Sequence, residues 1–171
     1  MEKKHSSWLS DCLKQIQNND EKTVLDVACG YGRNSLLLAN LGFKVHAVDN
    51  DKKKLSQIIH KNIYKKQLDV ENVNNWPISS KKFDIIIIFN FLFRPIFPYI
   101  INSINKKGFL IYETFALGHS RFGPPSNKNF LLKKKELIKL TKPLSLLAYE
   151  EIQIQNLDSC FKKQRIFSKN V

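Results

Sequence analysis

The chain has only three cysteines, Cys12, Cys29 and Cys160. They lie far apart and form no C-x-x-C pair, so neither a zinc site nor a disulfide framework is indicated, and no metal is expected. Arginine is also scarce: four of the 28 basic residues, set against 15 acids. Arginine is the better fork for phosphates and base edges, so the net charge of +13 is a weaker nucleic-acid signal than its size suggests. Lys, Ile and Asn, all encoded by A/T-rich codons, supply 58 of the 171 residues, and compositional drift is an equal source of the charge. RNA therefore stays open as a partner. No apolar run approaches the roughly 20 residues that span a bilayer. The longest, Ile85 to Phe89, has the length of a buried strand. The basic start "MEKKHSSWLS" lacks an apolar leader, so a cytoplasmic protein with no membrane partner is expected. No repeat, linker or low-complexity tail is visible, and residues 1–171 are expected to form a single domain.

Hydrophobic residues nevertheless make up 43% of the chain, enough for a packed core. Trp8, Leu9, Cys12, Leu13 and Ile16 mark one face of a first helix capped by Ser6 or Ser7, and "NNDEK" breaks it. Thr23–Ala28 reads as a buried strand, 34–41 as a helix with Gly42 at its C-cap, and Phe43–Asp49 as a second strand. A lysine-rich helix over about 51–64 and a third strand at "KKQLDV" follow. "VNNWPISSKK" is irregular, residues 83–90 form the clearest strand, and 96–104 a short or broken helix. "GFLIYETF" is a strand, and "ALGHSRFGPPSNKN" a loop. "FLLKKKELIKLT" is a helix, and "LSLLAYEEIQI" and "CFKKQRIFSK" are two strands joined by a polar turn. Strands alternating with helices and closing in a hairpin imply an α/β fold, a Rossmann-like doubly wound, mostly parallel sheet with an antiparallel C-terminal end.

In such sheets ligands bind beyond the carboxyl ends of the strands, where the strand order reverses. "VLDVACGYGRN" is a strand running into that kind of turn. Gly30 and Gly32 remove side chains where backbone must bend close to a ligand, and the next helix offers free amides. Asp49, about twenty residues on, can accept both hydroxyls of a ribose. The dinucleotide pattern G-x-G-x-x-G fails at its third glycine, where Ser35 stands, and does not call for an acid inside the first strand. Asp26 is that acid. It can receive an ammonium, while amides and Arg33 or Asn34 face a carboxylate. Asp26, the glycine turn and Asp49 together therefore favour S-adenosylmethionine over NAD.

With these residues in place, the chain resembles the class I S-adenosylmethionine-dependent methyltransferases over nearly its full length. "LDVACGYGRNSLLLA" is most similar to their tellurite-resistance-type branch of small bacterial members, and "LDVE", "NWPI", "FDIIIIFNFLFRPIFP" and "GFLIYETFALGHSRFGPPSNKNFLL" extend the likeness. The resemblance implies a seven-stranded sheet with the last strand antiparallel. It implies that Asp26, Ala28, Gly30 and Gly32 surround the methionyl part and that Asp49 holds the ribose. It also implies that Asp69 with Val70 faces the adenine and that Asn90 lines the sulfonium end. Cys29, Arg33, Asn34 and Asn50 complete the candidate cofactor set, with Cys29 read as a small packing residue rather than a nucleophile.

One departure bears on chemistry. The related pattern reads N-Y-L-H-R-P, whereas this chain has Phe93 at the histidine position between Asn90 and Pro95. Either a base lies elsewhere or the reaction needs none. Methyl displacement from a sulfonium mainly requires alignment and exclusion of water, and a thiolate, another soft anion or a neutral amine can attack without a base. Arg94 and Glu113, just past strands four and five, are the substrate-facing candidates, a mutual ion pair being the alternative for them. His119 and Arg121 sit in the Gly/Pro loop, Lys133–Lys135 start a helix, and Tyr31 either covers the sulfonium or is an exposed turn residue. A small-molecule acceptor is expected first, RNA methylation second, and a non-catalytic cofactor-binding scaffold third.

Overall fold

The computed structural model describes residues 5–16, 22–72, 76, 81–155 and 160–171. Most of "NNDEK", most of "VNNWPISSKK" and the turn between the last two strands lie outside them. Five helices are described: α1 Ser7–Leu13, α2 Arg33–Asn40, α3 Lys52–Ser56, α4 Phe97–Asn102 and α5 Glu136–Leu140. The strands are β1 Thr23–Val27, β2 Lys44–Asp49, β3 Ile63–Gln67, β4 Phe83–Phe89, β5 Ile104–Phe115, β6 Ser145–Gln155 and β7 Cys160–Lys169. They form one sheet in the order β3-β2-β1-β4-β5-β7-β6. β1 to β5 run parallel, and β7 lies antiparallel to both β5 and β6. The expected seven-stranded α/β architecture is the one observed.

The centre of the sheet is apolar on both faces, as a strand covered by helices on each side must be. Along β4, Ile85 and Ile87 face the layer that holds Trp8, Leu9 and Leu38. Ile86 and Ile88 face the opposite layer with Phe97, Ile100 and Leu137. All four isoleucines are fully buried. α2 ends as the glycine signal implied: Gly42 (φ +94°) donates to Ala39 O at 3.1 Å and Phe43 to Leu38 O at 3.1 Å, a Schellman closure.

Two helices are shorter than their sequence pattern. α3 stops at Ser56, and the chain turns at His60, whose Nδ1 accepts the Asn62 amide at 3.1 Å and whose carbonyl accepts that of Ile63. That side-chain contact releases the backbone from the helix and brings β3 forward to Ile63. α5 begins only at Glu136 because Leu131 and Leu132 are extended and buried instead. Leu132 donates to Phe115 O and accepts from Leu117, both at 2.9 Å. Lys133–Lys135 therefore precede the helix rather than start it, and all three are exposed. The segment expected to be a broken helix splits into a 3-10 turn at Arg94–Ile96 and α4, while β5 starts earlier than expected, at Ile104.

Candidate active site

Strand order reverses between β1 and β4, so the carboxyl ends of these two strands frame the site. After β1, Ala28, Gly30 and Gly32 all adopt left-handed backbone (φ +54°, +58° and +71°). The loop folds back on β2 through the Cys29 amide, which donates to Val48 O at 3.0 Å, and closes with Gly32 donating to Cys29 O at 3.0 Å. The two glycines serve different ends. A Cβ on Gly32 would stand 2.6 Å from Ile58 Cδ1, so its lack of a side chain is a packing requirement. A Cβ on Gly30 would meet nothing within 4 Å, so the backbone there borders open space.

Two acids anchor this loop. Asp49 Oδ2 accepts the Gly30 amide at 2.8 Å, and its Oδ1 accepts the Asp51 amide at 2.9 Å. Each oxygen keeps a further lone pair for a ligand hydroxyl. Asp26 is buried and accepts from Ser35 Oγ at 2.6 Å. Burial pushes its carboxyl up to about 7, against the hydrogen bond from Ser35 and the positive charge of Arg33. Asn34 ties α1 to the start of α2 by accepting the Ser6 amide on Oδ1 at 3.2 Å. Burial and the neighbouring acids raise the Cys29 thiol, which suits a packing residue rather than a nucleophile.

These residues enclose a cleft of about 400 Å³. Asp26, Ala28, Cys29, Gly30, Arg33, Asn34, Asp49 and Asn90 line it, eight of the twelve cofactor candidates. Gly32, Asn50, Asp69 and Val70 do not. Gly32 lies against Ile58, and the Asn50 carbonyl accepts from Gln67 at 3.1 Å. Asp69 is an exposed turn residue that accepts the Glu71 amide at 2.9 Å, and Val70 is part of the core. Tyr31, Lys54 and Phe89 join the lining from outside the candidate set. Tyr31 is half-exposed, with the Lys54 ammonium 6.0 Å from its ring. An acid that welcomes an ammonium, a second acid with spare lone pairs and amides at the start of α2 fit an amino acid joined to a ribose.

On the β4–β5 side the pairing differs from expectation. Arg94 and Glu113 do not pair with one another. Arg94 makes a forked contact with Glu136 (2.8 and 3.0 Å) and donates to the carbonyls of Asn129 (2.7 Å) and Leu131 (3.0 Å). It therefore clamps the loop before α5 and does not line the cleft above. Glu113 is buried and takes the Lys163 ammonium at 3.0 Å, with Arg165 at 3.8 Å. Lys163 also donates to Asn90 Oδ1 at 2.7 Å and lies 4.9 Å from the Phe115 ring, while burial lowers its ammonium pKa. Lys163 was not a candidate, because nothing local marks it. Only the antiparallel register that sets it opposite Phe115 brings it to the site. His119 is buried on Phe115 (4.1 Å between ring centres) and lies between the Lys162 amide and Pro124 O, a structural position. Among the described residues no His/Cys/Asp/Glu group could hold a metal, and no helix is long and apolar enough to cross a membrane.

The family model for tellurite resistance protein TehB matches residues 2–163. The chain belongs to the TehB family. No curated protein matches it. Among solved structures, TehB from Haemophilus influenzae superposes with a TM-score of 0.76 at 20% identity, covering 98% of this chain and 63% of that one. This TehB-family chain thus spans under two thirds of the Haemophilus protein's length. The N-methyltransferase NodS from Bradyrhizobium japonicum WM9 gives 0.72 at 14% identity, covering 94% and 93%. Magnesium protoporphyrin IX methyltransferase (ChlM) from Synechocystis PCC 6803 with bound S-adenosylhomocysteine gives 0.72 at 15%, covering 96% and 82%. The fold is the one shared by these solved methyltransferase structures.

Proposed function

We propose that the chain, acting over residues 1–171 as one domain, binds S-adenosylmethionine in the cleft at the end of β1 and transfers its methyl group to a small-molecule acceptor. The observation that carries this reading is the convergence of Asp26, the Gly30 turn and Asp49 on one cleft, with Asp49 fixed by the Gly30 amide. Asp26 receives the ammonium, Arg33 and the first amides of α2 the carboxylate, and Asp49 the ribose hydroxyls. The bound sulfonium supplies an electrophilic methyl group. The protein's own task is then to align the acceptor and exclude water. Phe93, partly buried against the core, leaves no imidazole there to act as a base.

A small acceptor is favoured over RNA by what the arginines do. Arg94 and Arg165 are held in ion pairs with Glu136 and Glu150, and Arg33 lines the cofactor cleft. Few forks remain for a phosphate backbone. The described cysteines are all free thiols, as suits the reducing cytoplasm, where this reading places the protein. The test is incubation with methyl-labelled S-adenosylmethionine and a cell extract split into small-molecule and RNA fractions. Label should enter the small-molecule fraction and be insensitive to salt. Label in RNA, falling steeply as salt rises, would overturn the choice of acceptor.

A further inference from the structure

Asn90 borders a second cleft as well as the first. This one, of about 330 Å³, is walled by Phe91, Phe115, Phe130, Pro124 and Pro125, and Glu71 is its single charged lining residue. The volume lies at the lower end of the range for small-molecule sites, about 300–1,000 Å³. Aromatic and proline walls fit a single apolar ring. A strongly hydrated oxyanion would instead demand cationic donors directed at it; no described lining residue carries one, and the nearby Lys163 ammonium is turned to Asn90 Oδ1 and Glu113.

The acceptor atom follows from how Asn90 is held. Its backbone is left-handed (φ +58°), and its amide donates to Glu113 O at 2.8 Å. Its Oδ1 accepts from Lys163 Nζ at 2.7 Å. An ammonium has donors only, so the side-chain oxygen must face Lys163; Oδ1 keeps a second lone pair beside that charge, and the Nδ2 amide N–H groups are the donors Asn90 offers a ligand. A neutral amine acceptor has one lone pair, which it needs for attack and which a donated hydrogen bond would occupy. A thiolate sulfur has three, and can accept from Asn90 while attacking with another. A phenol also has lone pairs to spare but ionises near 10, far above what a carboxylate such as Glu71 can deprotonate.

We propose that the cleft beside Asn90 takes a small aromatic thiol, bound as its thiolate and methylated on sulfur. This rests on the cofactor reading above. On ionisation the thiol proton passes to solvent. A sulfur lone pair forms the new S–CH3 bond as the methyl–sulfonium bond breaks, and that electron pair stays on the departing sulfur. The products are an aryl methyl thioether and S-adenosylhomocysteine, with no net redox change. Asn90 is the contacting residue. Lys163, held by Glu113, is a positioning residue that fixes which end of the Asn90 amide faces the acceptor.

The test offers thiophenol, aniline, phenol and tellurite to the protein with labelled S-adenosylmethionine. In parallel, thiophenolate ultraviolet absorbance reports binding to protein loaded with S-adenosylhomocysteine. Thioanisole should form at least about tenfold faster than any other product. Asn90→Asp, which replaces donors by acceptors at equal size, should weaken thiophenolate binding by at least about tenfold, the loss of one hydrogen bond to a charged group. Lys163→Met should lower the thiophenol-to-aniline preference, and Lys163→Arg, which keeps a donor, should retain it. A loss of folding alone would move both rates together and leave that ratio unchanged. Methylation of aniline, phenol or tellurite at a matching rate, transfer to none of the four, or thiophenolate binding indifferent to Asn90→Asp would overturn the thiolate assignment while leaving the cofactor site standing. Failure of the wild-type protein to bind S-adenosylhomocysteine would overturn the cofactor reading and this proposal with it.

Discussion

Ser35 Oγ donates a 2.6 Å hydrogen bond to Asp26 Oδ2 beside the cofactor cleft, and both residues are buried. Burial outweighs that bond and holds the Asp26 carboxyl at about 7 against an ordinary 3.8. Between those two values the unfolded chain is ionised while the folded one keeps its proton, so stability falls as pH rises from about 4 to 7 and levels off above. Urea unfolding at pH 5 and pH 8 should therefore show wild type losing stability relative to Asp26→Asn, by a few kcal/mol at most. A ligand ammonium favours the ionised carboxylate. Affinity for S-adenosylhomocysteine should accordingly rise as pH passes through 7 in wild type, and not in Asp26→Asn.

Gly30 and Gly32 should separate in their effects. Both sit at positive φ, so alanine at either costs about 1–2 kcal/mol in backbone strain. Gly32→Ala also forces its Cβ against Ile58 and should be the more destabilising in urea unfolding, with Ile58→Ala restoring part of the loss. Gly30→Ala has room in the fold but places a methyl at the cleft, so its larger effect should be on S-adenosylhomocysteine affinity.

Arg94 clamps the loop before α5. Arg94→Met removes the fork to Glu136 and the bonds to two carbonyls, and should cost about 2 kcal/mol, or roughly 4–8 °C in Tm for a chain of this size. Its S-adenosylhomocysteine affinity should stay at the wild-type level in calorimetry.

The parts legible in the sequence are those set by local chemistry. The four isoleucines of β4, the glycine that closes α2, the acid within β1 and the acid ending β2 each combine a residue type with a spacing, and each falls where that pattern puts it. The parts that were not legible depend on partners distant in the chain. Leu131 and Leu132 fit a helical pattern, yet pairing with the segment after β5 keeps them extended. Arg94 finds Glu136 across 42 residues, and Lys163 finds Asn90 across 73. Such contacts arise from sheet order and register, which a linear pattern does not contain. Asp69 and Val70 rest on family resemblance alone: Asp69 is exposed and accepts the Glu71 amide, and Val70 is buried in the core.

The most direct test of the account is calorimetric titration with S-adenosylhomocysteine, with NAD as control, on wild type and Asp49→Ala. The account predicts micromolar binding to wild type, none of NAD, and a loss of about 30-fold or more in the variant, as expected for removal of hydrogen bonds to a charged group. A folded wild-type protein that fails to bind S-adenosylhomocysteine, or binds it equally well without Asp49, would contradict it.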